Sequence, residues 1–375
     1  MEAIYLDYNA TSPVDVRVYQ EMIPYLTSEY GNPSNSYALG AQAKGAVSNA
    51  RGKVAALIGA QPGEVIFTGC GSESNNTVIK GVAHTFKSKG KHLVSTTIEH
   101  PSVLEPLRFL ERNGYEVTYV GVDSLGRVNP EDIRKALRPD TILVSVMHSN
   151  NEVGTLQPIA EIGAICRKSE VLFHCDASQS TGKVPLDVEK MNVDFLTIAG
   201  HKLYAPKGIG ALYTRKGIVI EPLIHGASQE SSHRAGTENV PYIVALGKAA
   251  ELAQEQLRTS HLKDMKDYFF TRLSDLFGDA IHVNGDYENS LPNTLNISFI
   301  GKVGADVLAG VPQINASTGS ACHSGSKTIS PVLAAMGVDP DVALGAVRFS
   351  VGRYTKKEDI DKAVNCISEY INRIA

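Results

Sequence analysis

No stretch of this 375-residue sequence approaches the roughly 20 consecutive apolar residues that span a bilayer. Its start, "MEAIYLDYNATSPVD", lacks the basic region and long apolar stretch of a secretion signal, so a cytoplasmic location is expected. Neither sign of charge dominates. Lys and Arg number 36 against 40 Asp and Glu, the formal net charge is -4, and a pI near 6.3 leaves no basic footprint for nucleic acid. Cysteine is scarce and follows no ligand pattern. Cys70, Cys166, Cys175, Cys322 and Cys366 are odd in number, scattered and without a CxxC pair, which argues against a disulfide framework and a structural zinc site. No low-complexity tract or internal repeat stands out. What is present, 43% hydrophobic and 20% charged residues, describes a globular protein long enough for about two to three domains.

Seven short runs read as strands: "EVIFTG" (64–69), "HLVSTTIEH" (92–100), "EVTYVGV" (116–122), "TILVSVMHSN" (141–150), "VLFHCDAS" (171–178), "FLTIAG" (195–200) and "GALYTRKG" (210–217). Their near-continuous hydrophobicity suits strands covered on both faces, as in a mainly parallel sheet. Helical patterns such as "PEDIRKAL" and "PIAEIGAICRKS" separate them, the second with Pro158 at its expected first turn. The alternation predicts an α/β domain with ligands at the C-terminal ends of the strands. After two helices, 242–258 and 262–278, the rhythm changes to "NTLNISF", "AVRFSVGR" and a closing amphipathic helix. Residues from about 259 onward therefore predict a smaller α+β domain, joined by the N-terminal segment.

Four cysteines lie in apolar or helical patterns, where the residue is usually a small core side chain. Cys322 differs, set in "STGSACHSGS" among Gly and Ser. In "FLTIAGHKLYAPKGIG", an apolar strand ends on Lys202, although lysine is almost never fully buried without compensation. "VLFHCDASQSTGK" places Asp176 at another strand end with Gln179 just beyond, and "STTIEHPSV" places His100 at a third. In "FTGCGSESNNTVIKG" a strand meets a Gly-containing turn and a helix, whose first N–H groups, with the Ser72 and Ser74 hydroxyls, would suit a phosphate. Lysine, carboxylate, histidine and phosphate cradle on one rim are what pyridoxal phosphate requires. Taken singly, each has an ordinary reading. His100 could be a hydrogen-bonded structural histidine, Asp176 and Gln179 a cap, Thr237 and Asn151 turn residues, Arg353 a surface charge and Cys322 an incidental thiol. Reading "GCGSES" as a dinucleotide-binding GxGxxG puts Ser74 where the third glycine belongs and leaves Lys202 unexplained.

The ordered segments "YLDYNATSPV", "YGNPSNSYALG", "FTGCGSESNN", "EHPSVL", "HSNNEVGTLQPI", "HCDASQSTGK", "GHKLYAPKGIGALY", "HRAGTEN", "GSACHS" and "VRFSVGRYT" run essentially end to end. The sequence they form closely resembles the NifS/IscS-type cysteine desulfurases and selenocysteine lyases, within the aminotransferase class V family of fold type I pyridoxal-phosphate enzymes. The resemblance implies a large cofactor-binding α/β domain over 15–258, and a small α+β domain over 1–14 plus 259–375 that carries the Cys322 loop. It implies Lys202 as the Schiff-base lysine, Asp176 on the pyridine nitrogen, Gln179 on the ring hydroxyl and His100 stacked on the ring. Gly71, Ser72 and His201 fall on phosphate-binding positions, and Thr237 matches a residue that reaches the neighbouring subunit's phosphate, implying a homodimer. Asn151 and Arg353 match residues that hold the substrate carboxylate, Asn151 also lying against the cofactor. Cys322 matches the nucleophile that accepts sulfur from cysteine, leaves alanine and passes the sulfur to an acceptor protein. His323 beside it would raise its thiolate fraction. Several positions depart from the desulfurase pattern. Ala199 stands for a serine, Tyr37 for a histidine, Ala227 and Ser228 for glycines, and His323 for a small hydroxyl residue. Ala199, Tyr37 and "ACHS" look like the selenocysteine lyase branch, so release of selenium from selenocysteine is the alternative activity.

Overall fold

The computed structural model describes residues 3–318 and 329–374. All seven expected strands form one sheet: β1 (Val65–Thr68), β2 (His92–Thr96), β3 (Glu116–Val120), β4 (Thr141–Met147), β5 (Leu172–Asp176), β6 (Phe195–Ala199) and β7 (Gly210–Thr214). Their order across the sheet is β1-β7-β6-β5-β4-β2-β3, and β7 alone runs antiparallel to its neighbours. Several strands stop short of the apolar pattern at their C-terminal ends. The residues beyond leave the ladder and turn toward the rim, where they become available for a site.

Successive side chains alternate faces, so one strand feeds two cores. Phe195 joins Leu93, Ile142 and Leu212 under the helices α1 (Gly71–Thr85) and α2 (Pro101–Glu111), whose Val78, Ile79, Val82, Val103 and Leu107 complete that layer. Leu196 and Ile198 go to the opposite face with Phe173 and Cys175, beneath the helices Val16–Thr27, Ala38–Leu57, Ile159–Lys168 and Val240–Gln256. Pro158 caps the third of these rather than opening its first turn. The fourth packs tightly on the second at Gly247, where a Cβ would lie 2.6 Å from the Ala50 Cα.

A separate core gathers Ile4, Leu6, Phe269, Leu295, Val347, Phe349, Val364 and Ile367. Its sheet is antiparallel, with Thr294–Phe299 between Ile281–Val283 and Ala346–Ser350. The helices His261–Phe277 and Lys357–Arg373 bury their apolar stripes on it, and Phe269 meets Phe349 edge-on at 5.0 Å. Ile4–Tyr5 pairs in parallel with Ile314–Asn315, which brings the N-terminal segment to this core. A last apolar cluster joins the two regions, with Ile98, Met147 and Val153 against Val332, Leu333 and Met336.

Candidate active site

Where the parallel strands end, a cleft of about 270 Å³ opens toward the smaller sheet. Lys202 reaches it from β6. The strand stops at Ala199, and the chain tightens into a 3-10 turn, Gly200–Lys202. A Cβ on Gly200 would sit 2.8 Å from both the carbonyl oxygen and a methyl carbon of Ile209, so only glycine fits the return into β7. The Lys202 amine makes no hydrogen bond or ion pair among the described residues. Burial pushes its pKa down to about 8 and nearby Arg348 adds to the effect, against the opposing pull of Asp176. An amine in that range is partly neutral at physiological pH, which is what a nucleophilic lysine requires.

Asp176 ends β5 and is 7% exposed. Its Oδ1 accepts the Ser178 N–H at 2.9 Å and its Oδ2 accepts from Asn75 Nδ2 at 2.8 Å. Gln179 is 4% exposed and lines the cleft, its amide donating to the Asn9 carbonyl at 3.0 Å.

Helix α1 starts at Gly71 and presents its unpaired first N–H groups to the cleft beside Ser72. Gly71 sits at a close approach, since a Cβ there would lie 3.1 Å from Ser178 Oγ and 3.3 Å from Ala199 Cβ, tighter than ordinary contact. Cys70 is exposed on the same wall, not a core residue as its apolar surroundings predict, because it occupies the N-cap rather than the strand. Ser74, grouped with Ser72 in the sequence, is fully buried and bonds Thr68 Oγ1 at 2.8 Å, so it faces away from the cleft. His201 lines the cleft with Nδ1 3.2 Å from Thr11 Oγ1, and burial, then the positive charge of Lys202, lowers its pKa to about 4. It is a neutral ring.

His100 caps α2 rather than ending a strand. Its Nδ1 accepts the Ser102 backbone N–H at 3.1 Å, which leaves Nε2 as the protonated nitrogen of the neutral ring. Asn75 donates to Ser102 Oγ at 2.8 Å, and that hydroxyl lies 2.8 Å from His100 Nδ1, so one amide links the histidine to Asp176. Burial of its cleft side, then Lys202, lowers the His100 pKa.

Two arginines sit in "VRFSVGR", and only one reaches the cleft. Arg353 does not: its guanidinium bonds Asp15 at 2.5 Å and Gln256 at 3.0 Å, and stacks over the Tyr204 ring at 4.3 Å. Arg348 lines the cleft instead, donating to Asp7 at 2.7 Å and to the Asn151 carbonyl at 3.0 Å, with its buried Nε unpartnered. The signal was present in the sequence. An arginine within an apolar strand, between Val347 and Phe349, must face away from them. Asn151 also lines the cleft, while Thr237 is exposed and outside it. Cys322 and His323 lie outside the described residues.

Comparison with known proteins agrees over the whole chain. The aminotransferase class-V model matches residues 4–363. A protein of Dictyoglomus turgidum named cysteine desulfurase IscS is 45% identical, covering 99% of this chain and 95% of its own. One of the same name from Methanosarcina thermophila is 44% identical over 100% of this chain and 93% of its own. A solved structure titled NifS-like protein superposes with a TM-score of 0.93 at 40% identity, covering 99% of this chain and 100% of that one. Another, titled SspA in complex with cysteine, gives 0.83 at 36% identity over 94% and 99%. This chain belongs to the aminotransferase class V family.

Proposed function

We propose that this chain is a pyridoxal-phosphate-dependent cysteine desulfurase, converting L-cysteine to L-alanine and loading the sulfur on Cys322 for delivery to an acceptor protein. The observation that carries the reading is Lys202, a half-buried amine without a partner among the described residues and with a pKa near 8, at the rim of a mainly parallel sheet and facing a cleft that also holds Asp176. The residues present fit the cofactor. Lys202 would bind it covalently, Asp176 would hold the pyridine nitrogen, Gln179 the ring hydroxyl and His100 the ring face. Gly71, Ser72 and His201 would take the phosphate, and Asn151 would lie against the ring. Ala199 removes one hydroxyl donor from this set, which places more of the phosphate on Ser72, His201 and Thr237. When bound, the cofactor supplies an electron sink for the substrate α-carbon.

The chain's own groups divide the remaining work. Arg348, in place of Arg353, would bind the substrate carboxylate together with Asn151. Lys202 would take the α-proton, and Nε2 of His100 would carry a proton for return to the carbon skeleton; positioned transfers of this kind give about 10² to 10⁴-fold. The Cys322 thiolate would attack the substrate sulfur. The S–S bond forms as the Cβ–S bond breaks, and the electron pair left on carbon is protonated to give alanine.

We read the large unit as 15–258 and the small one as 1–14 plus 259–375, matching the two separate cores. Homodimer formation is supported by exposed Val16, Tyr19, Leu26, Tyr30 and Tyr37 near the N-terminus and by the exposure of Thr237, which would reach the phosphate of a second copy. Among the described residues no helix is long and apolar enough to cross a membrane, and a cytoplasmic location is our reading.

The test is alanine formation from cysteine and from selenocysteine, in the native protein and in Cys322→Ala. Loss of both activities in the variant supports the desulfurase. Full selenocysteine turnover with none from cysteine, in the native protein, assigns the lyase.

A further inference from the structure

Behind Gln179 lies a second half-buried lysine that the reaction does not use. The Lys183 amine donates to Gln179 Oε1 at 3.1 Å and to Asn9 Oδ1 at 3.0 Å, and it makes no ion pair among the described residues. The nearby charges that act on it, Lys202 and Arg348, share its sign. Loss of contact with water, and then these two charges, pull its pKa well below the ordinary lysine value. A cation withdrawn from water without a carboxylate is costly, so without an anion nearby this amine gives up its proton readily, and an anion in the cleft would restore its charge.

Its hydrogen bonds show what it does. The Asn9 backbone carbonyl can only accept, so the Gln179 atom facing it is the amide nitrogen and the amide oxygen is the atom that faces Lys183. The other end of that amide donates to the Asn9 carbonyl at 3.0 Å, and the Asn9 side chain is itself held by Lys183 and by Asn293 Nδ2 at 3.0 Å. Lys183 therefore grips both supports of Gln179 and keeps an N–H, not a carbonyl, available at the cleft. When Lys183 is protonated its bond to Gln179 is about twice as strong as one between neutral groups, which holds the amide in that orientation.

We propose that Lys183 is a positioning residue for the cofactor: it fixes the Gln179 amide as a donor toward an anionic ring oxygen, and that anion, not a protein carboxylate, compensates its charge. The proposal rests on the pyridoxal-phosphate reading above.

The test uses the full chain freed of cofactor, titrated with pyridoxal 5'-phosphate, in the native protein, Lys183→Met, Gln179→Ala and the double variant. Lys183→Met is expected to melt no lower than the native chain without cofactor, yet to bind the cofactor about 10-fold more weakly. Gln179→Ala should weaken binding similarly, and the double variant should be within about 2-fold of Gln179→Ala, because one residue acts through the other. Lys183→Leu is the second variant and should behave as Lys183→Met. Native affinity in Lys183→Met, losses that multiply in the double variant, or failure of both Lys183 variants to fold overturns the proposal. A native chain that takes up no pyridoxal 5'-phosphate overturns the cofactor reading instead.

Discussion

Exchanging Arg348 or Arg353 for glutamine separates the two roles that one short motif contains. Arg348→Gln removes the cleft guanidinium, and with it a charge-assisted bond to the substrate carboxylate worth about 1.5 to 3 kcal/mol. That corresponds to a KM about 10- to 100-fold higher, with kcat changed far less because the contact is made equally before and during the reaction. The variant should also lose about 1 to 3 kcal/mol of stability. Asp7 forfeits its partner, but it keeps the Ser317 hydroxyl at 2.7 Å and its side chain remains 16% exposed, which softens the loss. Arg353→Gln works differently. Asp15 is only 1% exposed, yet it retains Arg17 through bonds of 3.0 and 2.9 Å, so its charge is not orphaned. What disappears is the stack on Tyr204 and the bond to Gln256, together about 1 to 2 kcal/mol of stability. KM should stay within about 3-fold, the range of an indirect effect. Initial rates of alanine formation against cysteine concentration, beside thermal melts of both variants, provide the comparison. A larger KM increase for Arg353→Gln than for Arg348→Gln would refute the assignment.

Three further outcomes follow from the geometry. Glu99 is fully buried, with Oε1 bonded to Thr96 and Met147 and Oε2 unpartnered, and burial raises its pKa from 4.5 to about 8. Its native form holds a proton that the unfolded chain releases above about pH 4.5, so stability falls as pH rises toward 8. The loss over that window is about 5 kcal/mol in order of magnitude. Glu99→Gln should abolish that contribution, its melting temperature gaining on the native protein between pH 5.5 and pH 8; a constant difference would contradict it. Gly71→Val drives methyl groups into Ser178 and Ala199, and should weaken pyridoxal-phosphate binding at least about 10-fold in a fluorescence titration while the chain stays folded. Lys202→Ala removes a half-buried amine without a partner among the described residues, so the cofactor-free melt should be unchanged or higher, and borohydride should no longer fix the cofactor to the chain.

Much of this was legible in the sequence, for identifiable reasons. The seven strands announce themselves because strands covered on both faces must be apolar throughout. Lys202 and Asp176 are visible because each is a charge at the end of such a run. The apolar run before it suggests a strand end for His100, whereas Pro101 makes it the cap of the next helix, a role available from the His-Pro pair itself. The family resemblance points to Arg353, yet strand alternation places Arg348 toward the cleft. The support behind the site was not legible. Asn75 sits mid-helix in "SESNN", and nothing local shows that its amide bridges Asp176 and Ser102 across intervals of 101 and 27 residues. Lys183 likewise looks like a turn lysine until Asn9 arrives from 174 residues away.

The turn that carries Lys202 is clamped between β6 and the only antiparallel strand of the sheet, with no space for a side chain at Gly200. The backbone beneath that amine is therefore a fixed pier, and under the proposed function any travel between carbonyl partner and substrate carbon would be made by the four methylenes alone. The length of the side chain becomes the stroke of the catalyst, so a shorter amine grafted at the same position would keep the mount and lose the reach.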